Sequence, residues 1–119
     1  MNTGNEKDQL ITQLTRDTIS GNIKWGVTQP PHAFTHATEK VVPLYLQTTF
    51  RGSSIGIYEV RYRHFTDEET FYWLEDLGIC IVNQDGIVTW NFERYSPALN
   101  ELYQMAREQA SGLSSLLNG

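Results

Sequence analysis

The chain has 119 residues, a formal net charge of −5, and 39% hydrophobic and 12% aromatic side chains. This length fits one domain, residues 1–119, and the composition is that of a globular protein rather than a disordered chain; only residues 1–5 are expected to form a disordered tail. Nine scattered Lys and Arg residues stand against 14 Asp and Glu residues. This balance argues against nucleic acid as a partner, because phosphate binding needs clustered positive charge.

Apolar residues never run for more than four positions, far fewer than the roughly 20 that a membrane-spanning helix needs. The single cysteine, Cys80, has no disulfide partner within the chain, which is typical of a reducing compartment. We therefore expect a cytoplasmic protein that does not associate with membranes. Five acidic residues and no basic residue lie within residues 67–76, which favours solubility and basic partners.

A first helix is predicted by residues that recur every three or four positions. Asn5 suits the N-cap, and Gly21 suits the left-handed position after the last turn. The following residues, 22–42, contain adjacent prolines at 30 and 31 and are predicted to be irregular, with Trp25 packed against the body. The recurring positions of the helix are Leu10, Ile11, Leu14 and Thr18.

Two segments of alternating apolar and polar side chains predict an antiparallel hairpin, whose register depends on the turn between them. A three-residue loop, 52–54, pairs Leu46 with Val60. A two-residue loop, 52–53, pairs Leu46 with Glu59 and mixes apolar and charged side chains on one face. The pattern favours the longer loop. The helix-covered face would then carry Leu44, Leu46, Tyr58, Val60 and Tyr62.

Two further strands are predicted on either side of a hairpin turn at residues 83–86, where an Asp-Gly pair is a strong turn signal. Residues 67–76 allow two interpretations. Thr66, followed three residues later by an acid, resembles a capping box and indicates a short helix. The aromatic triplet at 71–73 has high strand propensity, so we expect a long strand with a bulge near Glu75.

Ser96 and Pro97 predict the start of a last helix, as N-cap and first helical residue. The chain is therefore predicted to be α+β, with an N-terminal helix, a four-stranded antiparallel meander and a C-terminal helix. Both helices should cover one face of the sheet in a two-layer sandwich. The apolar stripe of the last helix is Leu99, Leu102, Tyr103, Ala106 and Ala110, with Leu113, Leu116 and Leu117 as its possible continuation.

Four short motifs follow one another along the chain. They are Leu-Thr at 14–15, Gly-x-Ile-x-Trp at 21–25, Asp-Gly at 85–86 and Leu-Tyr-x-x-Ala-Arg at 102–107. Together they resemble a group of small bacterial domains of unknown function. The resemblance implies bacterial origin and a fold of the kind described above, and it brings no catalytic residues.

Several side chains have the type needed for chemistry, but none has a complete motif. His32, His36 and Glu39 have the spacing of metal ligands on a helix, although an exposed loop explains them equally. Cys80 lies in an apolar run and is expected to be buried and inert, and His64 has no partner that sequence can name. We therefore predict no catalytic residue, no cofactor and no metal site.

The sheet face away from the helices is expected to carry an unusual mixture of Tyr, Arg and Ile, which is typical of protein interfaces. An ordinary solvated sheet face is the alternative. We predict a non-enzymatic binding or regulatory module that acts through protein–protein contacts, with a partner protein or a second copy. A small ligand-binding protein or enzyme, with a pocket between the sheet edge and residues 22–42, is the competing hypothesis. The candidate interface residues are Tyr45, Arg51, Ile57, Arg61 and Arg63.

Overall fold

The computed structural model describes residues 4–36 and 38–118. The fold is α+β, with helices at both ends of the chain and one antiparallel sheet whose strands follow chain order. No helix in the described ranges is long and apolar enough to cross a membrane. The elements are α1 (Gly4–Ser20), β1 (Gly26–Val27), α2 (His32–Thr35), β2 (Val41–Phe50), β3 (Ser53–Phe65), β4 (Phe71–Val82), β5 (Val88–Glu93), α3 (Pro97–Ser111) and α4 (Leu113–Asn118).

The sheet has five strands rather than the predicted four. The additional strand, β1, pairs Gly26 with Gln47 and Val27 with Leu46 at the edge of the sheet. Two residues are too few to show a strand periodicity, so the sequence pattern does not separate β1 from the irregular segment predicted at 22–42. Trp25, just before β1, is buried as predicted, and its indole N–H donates to the Thr18 hydroxyl at 2.9 Å.

The helix ends follow the local signals with one exception. Helix α1 begins at Gly4, so Asn5 lies inside the helix rather than at its N-cap. Residues 1–3 of the predicted tail lie outside the described residues. Gly21 has the expected positive φ of 79°. The Ser96 side chain accepts a hydrogen bond from the Leu99 N–H at 3.2 Å, as an N-cap should.

The predicted register of the first hairpin is wrong. The turn consists of Arg51 and Gly52, with φ of 51° and 83°, a conformation that matches the twist of the flanking strands. Leu46 consequently pairs with Ile57, not with Val60. This slip of three residues exchanges the two faces of β3, because successive side chains of a strand point to opposite faces. A positive φ is uncommon for Arg, so no residue type at positions 51–52 indicated this turn.

The front face of the sheet is the face that α1 and α3 cover. Ile57 and the side chains beside it on β2 and β4 form one core with these two helices. The apolar stripe of α3 ends at Ala110, and the leucines of α4 are exposed instead of continuing the core. The buried front core contains Ile11, Leu14, Ile23, Trp25, Leu46, Ile55, Ile57, Leu77, Ile79, Leu99, Leu102, Tyr103 and Ala106.

The back face of the sheet carries a second, smaller core, which the sequence reading did not expect. Phe34, in α2, packs its ring 4.8 Å from that of Tyr58. The rings of Tyr45 and Tyr58 lie directly over Gly56 and Gly78, where any Cβ would collide with them. Both sheet faces are therefore buried in the body of the protein. The back core contains Phe34, Tyr45, Tyr58, Val60, Cys80 and Val82.

Candidate protein interface on the hairpin arm

The two longest strands extend beyond the rest of the sheet. Pairing between β2 and β3 ends at Arg61, and pairing between β4 and β5 begins only at Gly78. Residues 62–74 therefore form a two-stranded projection, which we call the arm. The radius of gyration of 15.5 Å exceeds the roughly 13.5 Å expected for a compact chain of this length, as a projecting hairpin requires.

The tip of the arm is a turn, not a helix. The Asp67 carboxylate accepts hydrogen bonds of 2.8 Å from the N–H groups of Glu69 and Thr70. These two hydrogen bonds lower the pKa of Asp67. Strand β4 then begins at Phe71, which confirms the preference for a long strand. Its pairing with β3 continues through Glu75 without a shift, so the bulge expected there is absent.

Three aromatic side chains share one side of the arm. Phe65, Phe71 and Trp73 are 48%, 40% and 50% exposed. The rings of Phe65 and Phe71 are 5.5 Å apart, and those of Phe71 and Trp73 are 6.0 Å apart. The Arg63 guanidinium lies 5.6 and 5.4 Å from the Phe65 and Phe71 ring centroids, close enough for cation–π attraction. We call Arg63, Phe65, Phe71 and Trp73 the aromatic face.

The aromatic face continues the front face of the sheet beyond the helices. Trp73 and Ile79 lie six residues apart on β4, so their side chains point to the same side. Ile79 is fully buried beneath the helices, whereas Trp73 is half exposed. The apolar front face of the sheet thus extends beyond the helices α1 and α3 that cover it in the body.

A cleft of about 380 Å³ lies at the root of the arm. It is lined by Val41, Arg61, Trp73 and Glu75. Arg61 Nε lies 3.1 Å from the Glu75 carboxylate, and both side chains are largely exposed. The cleft joins the apolar edge of Trp73 to a pair of opposite charges, which is the mixture found at the rim of protein interfaces.

The five predicted interface residues fall into two groups, those buried in a core and those outside the cores. Tyr45 is 1% exposed in the back core and Ile57 is fully buried in the front core, so their predicted surface positions are wrong. Arg51 lies in the first hairpin turn, with its guanidinium 4.9 Å from the Phe50 ring. Arg61 and Arg63 lie at the arm, and the guanidinium of Arg63 reaches Glu39 at 3.2 Å. Their role in an interface stays a prediction.

The three rings of the aromatic face were not among the predicted interface residues. An aromatic triplet such as 71–73 is readily explained by core packing, because a strand alternates between faces and one face is normally buried. The length of the strand was the available signal. A strand of 12 residues opposite a β5 of only six must project beyond its neighbour.

The competing hypothesis placed a ligand pocket near residues 22–42. Polar groups do converge there: Glu93 accepts hydrogen bonds of 2.7 Å from both the Tyr58 hydroxyl and the Lys40 ammonium. Burial, and then the carboxylate of Glu93, raise the pKa of Tyr58. However, these groups satisfy one another, and the aromatic rings of Phe34 and Tyr58 fill the space above the sheet. The arrangement seals the back core.

Two further candidates from the sequence have structural explanations. The His32 and His36 rings stack at 4.4 Å, while Glu39 pairs with Arg63, so the three do not converge as ligands. Among the described residues, no group of three or more His, Cys, Asp or Glu side chains is placed to hold a metal ion. Cys80 is buried, as predicted, and burial raises the pKa of its thiol.

No family profile, curated protein or solved structure in the comparisons matches this chain. The resemblance to small bacterial domains of unknown function therefore stays a prediction.

Proposed function

We propose that this chain is a non-enzymatic binding module that acts through contacts with a protein partner, made by the aromatic face of the arm. The helices and the sheet then serve as a two-layer scaffold from which the arm projects. One observation carries the proposal: the front face, which is buried in the body, continues uncovered as the rings of Phe65, Phe71 and Trp73. Exposed aromatic groups beside Arg are the side chains that most often dominate binding energy.

The size of the aromatic face fits a modest interface. Three rings at the observed exposures offer about 280 Å² of apolar surface, since each full side chain presents 150–250 Å². At the usual apolar share of an interface, this corresponds to a patch of about 500 Å² per partner. Such a contact buries about 1,000 Å² in total, which is at the lower bound for a specific interface and typical of transient association.

Charge favours a different protein over a second copy. The chain carries a net charge of −5, so two copies repel each other at long range. Acidic side chains flank the aromatic face at the tip, with Glu68 and Glu69, and at the root, with Glu75. A partner segment that combines basic and apolar side chains complements this surface.

The test compares the wild-type chain with the double variant Phe71→Ala, Trp73→Ala. The partner is captured from native cells with the wild-type chain, purified, and titrated against both forms. We expect the variant to bind at least about 30-fold more weakly, which corresponds to the roughly 2 kcal/mol of a hot spot. The matched control is Leu116→Ala, Leu117→Ala, which removes two exposed apolar side chains from α4 and should leave affinity unchanged.

Two results would contradict the proposal. Equal affinity of the Phe71→Ala, Trp73→Ala variant would show that the aromatic face is not the contact. Sedimentation velocity of the wild-type chain should show a monomer. A dimer that the same variant dissociates would make the partner a second copy instead of a different protein.

A further inference from the structure

A second cavity, of about 210 Å³, lies where the first turns of α3 meet the root of the arm. Three carboxylates line it, and no basic residue among those that the structure describes does so. It adjoins the cleft of the aromatic face, because Glu75 lines both. The lining residues are Glu59, Glu75, Asp76, Leu77, Tyr95, Asn100, Tyr103 and Gln104.

A buried polar atom distinguishes this cavity from a cluster of surface acids. Tyr103 is 1% exposed, and its hydroxyl is a buried side-chain polar atom that has no hydrogen-bond partner among residues 4–36 and 38–118. A buried hydroxyl without a partner is destabilising, so native structures rarely leave one unexplained. Burial, and then the nearby Glu59 carboxylate, raise the pKa of this hydroxyl, while Arg107 opposes the shift. Neither side chain meets hydrogen-bond geometry with the hydroxyl oxygen.

The three carboxylates of the cavity differ in the hydrogen bonds and ion pairs that they already make. Asp76 accepts hydrogen bonds from the Tyr95 N–H at 2.9 Å and from the Tyr62 hydroxyl at 3.3 Å. Glu75 is paired with Arg61 across the strands. Glu59, half-buried beside Tyr103, is the carboxylate best placed to meet an incoming group.

We infer that this cavity binds the guanidinium or ammonium group of an Arg or Lys side chain supplied by the protein partner. Carboxylates satisfy the charge and the N–H donors of such a group, while the Tyr103 oxygen accepts one further hydrogen bond. The volume suits one charged head group rather than a whole ligand. The inference rests on the proposed function for the identity of the donor chain, since the aromatic face and the cavity meet at Glu75.

The experiment uses the chain alone, so its failure is separate from failure of the aromatic face. Nα-acetyl-arginine N-methylamide is titrated into ¹⁵N-labelled protein, and the amide shifts of Leu77, Tyr95 and Asn100 are followed. The citrulline derivative is the neutral control of the same shape. We expect saturable shifts at these amides with the arginine probe and none with the citrulline probe.

Two single variants locate the binding group. Glu59→Gln keeps the shape of the side chain and removes one charge. It should lower the affinity for the arginine probe by about fivefold, the upper range for a partly exposed ion pair. Glu68→Gln makes the same change in net charge at the arm tip and should have no effect. Tyr103→Phe should also weaken binding, and the same spectra confirm that each variant is folded.

Three outcomes would overturn the inference. The first is equal binding of the citrulline probe, and the second is a set of shifts confined to residues 67–69. The third is arginine affinity that neither Glu59→Gln nor Tyr103→Phe changes. A parallel titration with spermidine distinguishes the source of the cation. Binding at the same amides more than about tenfold tighter than the arginine probe would assign the cavity to a free polyamine and reject the side-chain assignment.

Discussion

Replacement of Gly78 by alanine tests the arrangement of the back core most directly. A Cβ at this position would lie 2.6 Å from the Tyr58 hydroxyl oxygen and closer still to two of its ring carbons. Non-bonded carbon atoms need about 3.5–4.0 Å, so the ring must move by more than 1 Å. It cannot do so freely, because Phe34 packs against it and its hydroxyl donates to Glu93 at 2.7 Å.

The expected cost combines three effects. Overpacking costs about 1–3 kcal/mol, and loss of the hydrogen bond to the charged Glu93 costs about 1.5–3 kcal/mol. Alanine also lowers the conformational entropy of the unfolded chain, which offsets about 0.4–1 kcal/mol of this loss of stability. The net loss for Gly78→Ala is about 3 kcal/mol, which lowers a urea midpoint by about 2 M at a slope of about 1.5 kcal/mol per molar.

The assay is urea unfolding followed by tryptophan fluorescence. Gly26→Ala is the matched control, because a Cβ at Gly26 meets nothing within 4 Å, and we expect its free energy of unfolding to change by less than about 1 kcal/mol. Adding Tyr58→Ala to Gly78→Ala should show a favourable coupling of about 2 kcal/mol, because the collision is removed. A Gly78→Ala midpoint within about 0.3 M of wild type would refute the placement of Tyr58 over this glycine.

Two further predictions concern single titrating groups. Cys80 should react with a thiol reagent only as the domain unfolds, because it is buried beneath the rings of the back core; labelling within seconds in native buffer would contradict its burial. Asp67 should titrate below its usual 3.8 in an NMR pH series, since two backbone N–H groups stabilise the carboxylate. A lowered folded-state pKa means that this contribution is complete above about pH 4 and is lost as pH falls through the folded value. A measured pKa at or above 3.8 would contradict the turn geometry.

Local chemistry made several elements predictable from the sequence. The Ser96 hydroxyl, followed by Pro97, marks the start of α3 because it supplies an acceptor to an otherwise unpaired N–H. Gly21 and Gly86 adopt positive φ as their positions indicated. These features depend on residues within one turn of each other, so no tertiary contact is needed to specify them.

The first hairpin shows why register was not predictable. The predicted register requires one buried face and one solvated face, whereas the body of the sheet buries both. Alternation then carries little information, because apolar residues on either side are compatible with several registers. Arg51 in a left-handed conformation concealed the two-residue turn that decides among them.

The wrong hairpin register affected only part of the predicted interface. Arg61 and Arg63 were selected for a sheet face that proved to be the wrong one, yet both lie beside the aromatic face. The exposure of Phe71 and Trp73 could not be read from their sequence, because an aromatic residue in a strand is equally suited to a core. They are exposed because α1, α3 and the neighbouring strands end before they reach these two residues.

The sequence by itself determined the α+β class, the start of α3, the position of the turn at residues 83–86 and the burial of Trp25 and Cys80. These depend on side-chain pattern and on hydrogen bonds between near neighbours. Only the tertiary structure decided which face of β3 meets the helices, and that residues 62–74 project. Both outcomes depend on how separate elements of unequal length pack together, and no residue or short motif encodes that by itself.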